Sequence, residues 1–149
     1  MPTFIEEVST MTSLKKVLYT ARAHTRGGRE GASRTDDGRL SVTLSPPGTA
    51  GNGTNPEQLF AVGWSACFLS AMQLVARKMK VAFPADTADD VEVDLCLTGD
   101  AFSLQARHTV RLPGVEPDIA RAIVDAAHQT CPYSKATHGN IEVVTNVIT

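Results

Sequence analysis

The stretch from Gln58 to Ala76, QLFAVGWSACFLSAMQLVA, carries no charged residue. A bilayer-spanning helix needs about 20 predominantly apolar residues, so the run is long enough to be one. It also holds Gly63, Ser65, Ser70 and Gln73, and the sequence around it contains amphipathic strands that need a helix to pack against. The reading is therefore a helix buried at the centre of the fold, with no membrane span. Asn55 is suited to cap it, Pro56 to occupy its first position, and Glu57 to sit near the positive end of its dipole. The helix is expected to reach about Lys80.

Alternating segments surround this helix. From Leu14 to Arg26 the chain is rich in β-formers, with Val17, Tyr19, Ala21 and Ala23 on one face. Gly27-Gly28-Arg29-Glu30-Gly31 reads as a turn, and Leu40, Val42 and Leu44 mark a second strand. Pro46 to Thr54 is a Pro/Gly-rich loop, and Pro84 to Asp90 a linker. Val91, Val93, Leu95 and Leu97 form one strand face. After the turn at Gly99-Asp100, Phe102, Leu104, Ala106, His108, Val110 and Leu112 form the next. Pro117 opens a second helix with Ile119, Ile123, Ala126 and Ala127 as its apolar stripe, stopped near Cys131-Pro132. Ile141 to Ile148 is a last strand. The fold class is α+β: antiparallel sheets, a long central helix and a second helix. Residues 1–12 read as an N-terminal extension and residues 13–149 as a single domain.

The chain has 149 residues with 14 Lys plus Arg, 16 Asp plus Glu and a net charge of -2. Nucleic-acid binding through bulk charge is disfavoured, because neutralising phosphates takes a basic surface. Neither a basic n-region nor an apolar h-region opens the N-terminus MPTFIEEVSTM, so a signal peptide is not expected and the default compartment is the cytoplasm. Three cysteines, Cys67, Cys96 and Cys131, fit poorly with a secreted disulfide framework, and no Cys/His spacing suits a metal.

Chemistry therefore rests on thiols. Cys67 lies within the apolar helix, where desolvation alone would leave it inert; a reactive thiol there needs a nearby cation. Arg29, in its glycine-flanked turn, is the best candidate, and Glu57 could hold its guanidinium as a bidentate partner. On one straight helix Glu57 and Cys67 are separated by about 15 Å along the axis and about 280° of rotation, so they cannot touch. Three solutions are open: Arg29 spans the gap, the helix breaks at Gly63, or the two residues of one site come from different subunits. Cys131 could resolve an oxidised Cys67, and Cys96, beside Glu92 and Asp94, reads as a bystander. Phe60, Trp64 and Phe68 could line an apolar approach.

Thr54-Asn55-Pro56-Glu57-Gln58-Leu59-Phe60-Ala61, followed by Gly63-Trp64-Ser65-Ala66-Cys67-Phe68, closely resembles the organic hydroperoxide resistance branch of the Ohr/OsmC family. Cys131-Pro132-Tyr133-Ser134, with Ala136-Thr137 and Gly139-Asn140, resembles the family's second cysteine motif. LKKVLYT resembles its first strand, and Gly27-Gly28-Arg29 its arginine loop. Trp64 departs from the pattern, standing where tyrosine is common.

The resemblance implies a thiol peroxidase with no bound cofactor or metal. Cys67 would be the peroxidatic cysteine, Cys131 the resolving one, Arg29 the activating cation and Glu57 its partner. The fold would be an intertwined homodimer with sites at the subunit interface. The substrates would be organic hydroperoxides, including fatty-acid ones, and the reductant a dihydrolipoyl group on a lipoylated protein. Two alternatives stand beside it: a redox-sensing interaction protein switched by the same disulfide, and a noncatalytic dimer that binds apolar ligands.

Overall fold

The structure, a computed structural model, describes residues 15–149. The expected extension at residues 1–12 lies outside the described residues. The described chain divides into two compact units, one ending at Gly53 and the other running from Thr54 to Thr149.

The first unit is a three-stranded antiparallel sheet of β1 (Ala23–Arg26), β2 (Ala32–Thr35) and β3 (Ser41–Thr43), in that order. A 3-10 turn, Gly28–Glu30, joins β1 to β2. Gly27 and Gly28 have φ of 75° and 56°, a region that costs other residues steric strain. A Cβ on Gly31 would run into the Arg26 carbonyl, so the loop closes only around glycine. Leu14, where the expected first strand starts, lies outside the described residues, and of residues 15–26 only Ala23–Arg26 form a strand. Val17, Leu18 and Tyr19 are 78%, 86% and 78% exposed and belong to no strand of this chain. A β-former run needs a partner to satisfy its backbone, and here the β1–β2–β3 ladder begins only at Ala23.

The second unit holds the long helix α1 (Pro56–Lys78), β4 (Ala88–Thr98), β5 (Ala101–Arg111), α2 (Pro117–Thr130), a short α3 (Pro132–Thr137) and β6 (Glu142–Ile148). Asn55 caps α1 as its chemistry requires, its Oδ1 accepting from the Gln58 N–H at 2.9 Å, with Pro56 at the first position. β4 and β5 form the expected hairpin, antiparallel along their whole length. β6 departs from the all-antiparallel expectation by pairing parallel to β5, because the α2–α3 crossover returns the chain to the starting end of the sheet.

The buried core of this second unit is one cluster. Trp64, Phe68, Ala71, Met72, Val75 and Ala76 of α1 pack with Ala106, Val110 and Leu112 and with the buried stripe of α2. That stripe is Ala120, Ile123, Val124 and Ala127, rotated from the expected one: Ile119 is 38% exposed. α1 is long and apolar enough to cross a membrane by length and composition, yet within this chain it buries one face only. Val62 on its other side is 67% exposed, and Leu97 and Phe102 at the β4–β5 tip are 62% and 73% exposed.

Candidate functional site

Cys131 is the hinge between two helices. Pro132 cannot continue α2, and a residue before proline is pushed toward extended ψ; Cys131 has φ -64° and ψ 121°. Its N–H still bonds the Ala127 carbonyl at 2.8 Å, while its own carbonyl accepts from Lys135 at 3.0 Å. The last bond of α2 and the first of α3 therefore both run through this residue. Cys67 projects from α1 onto the same spot, and the Cys131 thiol donates to its sulfur across 3.1 Å. Both are free thiols, Cys131 fully buried and Cys67 partly so. A disulfide has S–S of about 2.0 Å, so bonding needs about 1 Å of approach.

Electrostatics at Cys67 oppose ionisation within this unit. Burial pushes its thiol above the ordinary range, and the hydrogen bond with Cys131 adds to the rise; a backbone hydrogen bond from Tyr133 acts the other way. The Tyr133 ring lies over Gly63, where a Cβ would come within 3.1 Å of its Cε2.

Behind the thiols runs a buried polar chain. Trp64 Nε1–H donates to Ser134 Oγ at 3.0 Å, Ser134 Oγ meets His128 Nδ1 at 2.9 Å, and His128 Nε2 meets Thr145 Oγ1 at 2.9 Å. His128 stacks on Phe68 with centroids 4.3 Å apart. Burial first, and then the neighbouring His108, pull its pKa down to about 4, so its ring is neutral at ordinary pH. His108 in turn bonds Asp89 through Nδ1 at 2.8 Å, both side chains without solvent exposure. In the sequence Ser134 stands out only as a member of the second cysteine motif, and nothing marks His128 or Asp89. His108 carried a signal, since strand alternation puts it on the inward phase with Ala106 and Val110.

Arg29 belongs to the first unit, exposed on the turn between β1 and β2. Glu57 lies in the first turn of α1. α1 is continuous through Gly63, which removes the broken-helix solution for Glu57 and Cys67. Trp64 and Phe68 are fully buried core residues. Phe60 is partly exposed and packs between Trp64 and Tyr133, at centroid distances of 5.4 and 6.1 Å. Cys96 sits on β4 opposite Ser103. Among the described residues no three His, Cys, Asp or Glu side chains gather as metal ligands.

Comparison with known proteins adds a consistent set of relatives. Residues 48–146 match the family model described as OsmC-like protein. An organic hydroperoxide resistance protein of Xanthomonas axonopodis pv. citri is 44% identical over 137 residues, covering 89% of this chain and 96% of that protein. Another, from Bacillus subtilis, is 39% identical across 90% of this chain and 99% of its own length. The crystal structure of an organic hydroperoxide resistance protein from Legionella pneumophila superposes with a TM-score of 0.85 at 40% identity, covering 90% of this chain and all (100%) of that one. With the paired thiols held on this α+β frame, the chain belongs to the OsmC-like family, in its organic hydroperoxide resistance branch.

Proposed function

We propose that the protein is a cysteine-based peroxidase that reduces organic hydroperoxides, fatty-acid hydroperoxides among them, to alcohols. The observation that carries this reading is the 3.1 Å approach of Cys131 Sγ to Cys67 Sγ. Two cysteine sulfurs about 1 Å beyond bonding distance can form and release a disulfide with little movement of the helices that carry them.

The Cys67 thiolate attacks one peroxide oxygen. The O–O bond breaks, Cys67 becomes a sulfenic acid, and the alkoxide leaves as alcohol after taking a proton. The Cys131 sulfur then attacks the sulfenic sulfur, forming the S–S bond and releasing water. An external dithiol restores both thiols by exchange, becoming a disulfide itself. On the resemblance of its cysteine motifs to the family's, we assign that dithiol to a dihydrolipoyl group on a lipoylated protein.

Within its own unit Cys67 is held above the ordinary thiol range, so the first step requires an added positive charge. Arg29 is assigned that role, with Glu57 orienting its guanidinium; the cation would also stabilise negative charge developing on the leaving oxygen. Phe60 and the exposed Tyr133 ring offer an apolar approach for an alkyl chain.

The working form is a homodimer in the cytoplasm, acting without a bound cofactor and with neither nucleic acid nor membrane as partner. The dimer is supported by the exposed Val17, Leu18 and Tyr19, which belong to no strand, and by the open apolar residues Val62, Leu97 and Phe102, surfaces that a second copy would cover.

The experiment is steady-state consumption of cumene hydroperoxide with dihydrolipoamide, beside hydrogen peroxide. Sustained turnover favouring the organic peroxide supports the reading. A single oxidation per chain with no turnover on any dithiol overturns it in favour of a sensor.

A further inference from the structure

From the polar chain behind the thiols we infer that Ser134 is a positioning residue, and that its hydrogen bonds to Trp64 and His128 set the approach of Cys131 to Cys67. The inference rests on the peroxidase reading above and concerns its second step.

α3 spans only Pro132–Thr137, too short to hold its own shape, since isolated helices below about 12 residues are marginal in water. The side chain of its N-cap residue, Cys131, makes no capping hydrogen bond. Thr137 Oγ1 bonds only carbonyls of the same helix, those of Tyr133 and Ser134. Packing does not fill one flank either: Ser134 and Thr137 border a cavity of about 290 Å³ shared with Trp64, His128 and Thr145. The side-chain ties across that flank are those of Ser134.

The donor count fixes the direction of the chain. Trp64 Nε1–H can only donate, so Ser134 Oγ accepts there and spends its own proton on His128 Nδ1. The neutral ring then donates from Nε2 to Thr145 Oγ1. One hydroxyl thus pins α3 to α1 through Trp64, to α2 through His128 and, at one remove, to β6. α1 carries Cys67 and α3 begins at Cys131, so the Trp64–Ser134 bond links the two helices that must bring their sulfurs together.

Cys131 attacks the Cys67 sulfenic sulfur, the S–S bond forms and the oxygen leaves as water. Misplacement by about 1 Å can cost about a hundredfold in such a reaction. The test is rapid-quench mass spectrometry of full-length protein after one equivalent of cumene hydroperoxide. It follows Cys67 oxidation (in a Cys131→Ser background) and Cys67–Cys131 disulfide formation separately. Ser134→Ala should slow disulfide formation about tenfold to a hundredfold and leave Cys67 oxidation within about twofold. Its Cys67 should accumulate as sulfinic acid under excess peroxide, and Ser134→Thr, which keeps the hydroxyl, should restore the rate. Trp64→Phe removes the N–H while keeping an aromatic ring, and should lower the ratio of the second rate to the first even if Ser134→Ala does not fold. Wild-type rates in both variants, or equal slowing of both steps, overturn the inference alone. A wild-type protein that forms no Cys67–Cys131 disulfide overturns the peroxidase reading and this inference with it.

Discussion

The sulfur of Cys131 stands 3.1 Å from that of Cys67, although the two residues come from different helices and are far apart in sequence. The proximity follows from local rules. Proline ends α2 at Cys131, and the extended ψ before it redirects the chain into α3, leaving the thiol at the corner between the two helices. Replacing Cys131 by Ser should leave one rapid oxidation of Cys67 and abolish turnover with dihydrolipoamide, whereas Cys67→Ser should abolish both. Quenched-flow thiol counts check this. A Cys67→Ser protein that reduced organic hydroperoxide at the wild-type rate would remove the assignment.

His128 should make stability depend on pH. Its folded pKa, about 4, lies below the ordinary 6.5 because burial and then His108 disfavour the cation, while Asp125 partly offsets them. Between those values the unfolded chain binds the proton more readily than the folded one. The stabilisation is complete above about pH 6.5, declines as the pH falls, and is gone below about 4. Urea midpoints measured across that window should fall with acidification, and His128→Phe should flatten the slope. An unchanged slope in that variant would assign the dependence elsewhere.

A second acid-sensitive group acts lower. Arg107 and then Gln105 hold the Asp94 carboxyl at about 2 through hydrogen bonds, the two from Arg107 being 2.7 and 2.9 Å. Its folded pKa is depressed, so its contribution is present above about pH 4 and disappears as the pH falls toward about 2. Asp94→Asn should remove the part of the acid transition lying between those values. The pair is half exposed, and screening should make the effect smaller at high salt.

Much of the candidate site was legible because it depends on neighbours in sequence. Asn55-Pro56 announces the start of α1 and Cys131-Pro132 the end of α2, while the short α3 that follows was not foreseen. Alternation along β5 put Ala106, His108 and Val110 on the buried phase, as observed. What stayed hidden depends on distant pairings. No local pattern says that Ser134 will meet Trp64, or that β6 will enter parallel to β5. The run from Leu14 has strand composition, but composition does not supply a partner, and residues 15–22 find no place in the sheet of their own chain.

Asp89 and His108 form a buried pair at the start of the β4–β5 ladder, 2.8 Å apart, and on their other sides Asp89 Oδ1 and His108 Nε2 have no partner among the described residues. Asp89→Ala would strand His108 Nδ1 among Trp64 and Phe68, whose rings lie 4.6 and 5.2 Å from its own. Leaving one buried polar group unsatisfied costs about 1–3 kcal/mol. Asp89→Asn, which keeps an acceptor, should cost less. Equal stabilities of wild type and Asp89→Ala by urea denaturation would show that the pair contributes nothing net.

Gly63→Ala sets helix stability against the site. Alanine inside a helix is favoured over glycine by about 1 kcal/mol. The new methyl would meet Tyr133 Cε2 and Oη at 3.1 and 3.2 Å, closer than ordinary contact. Tyr133 is 42% exposed and can rotate outward, so the chain should gain up to about 1 kcal/mol of stability. The displaced residue is also the one whose backbone hydrogen bond lowers the Cys67 pKa. A shift of the α3 backbone accompanying the ring's outward movement would lengthen that bond, raise the thiol further and leave less thiolate at a given pH. The expected outcome is a higher Tm together with a Cys67 alkylation profile shifted to higher pH and slower peroxide reduction. Calorimetry and iodoacetamide kinetics in a Cys96→Ser, Cys131→Ser background read the two effects separately. A lower Tm would mean that the Tyr133 ring is fixed, and an unmoved alkylation profile would mean that its backbone does not tune Cys67.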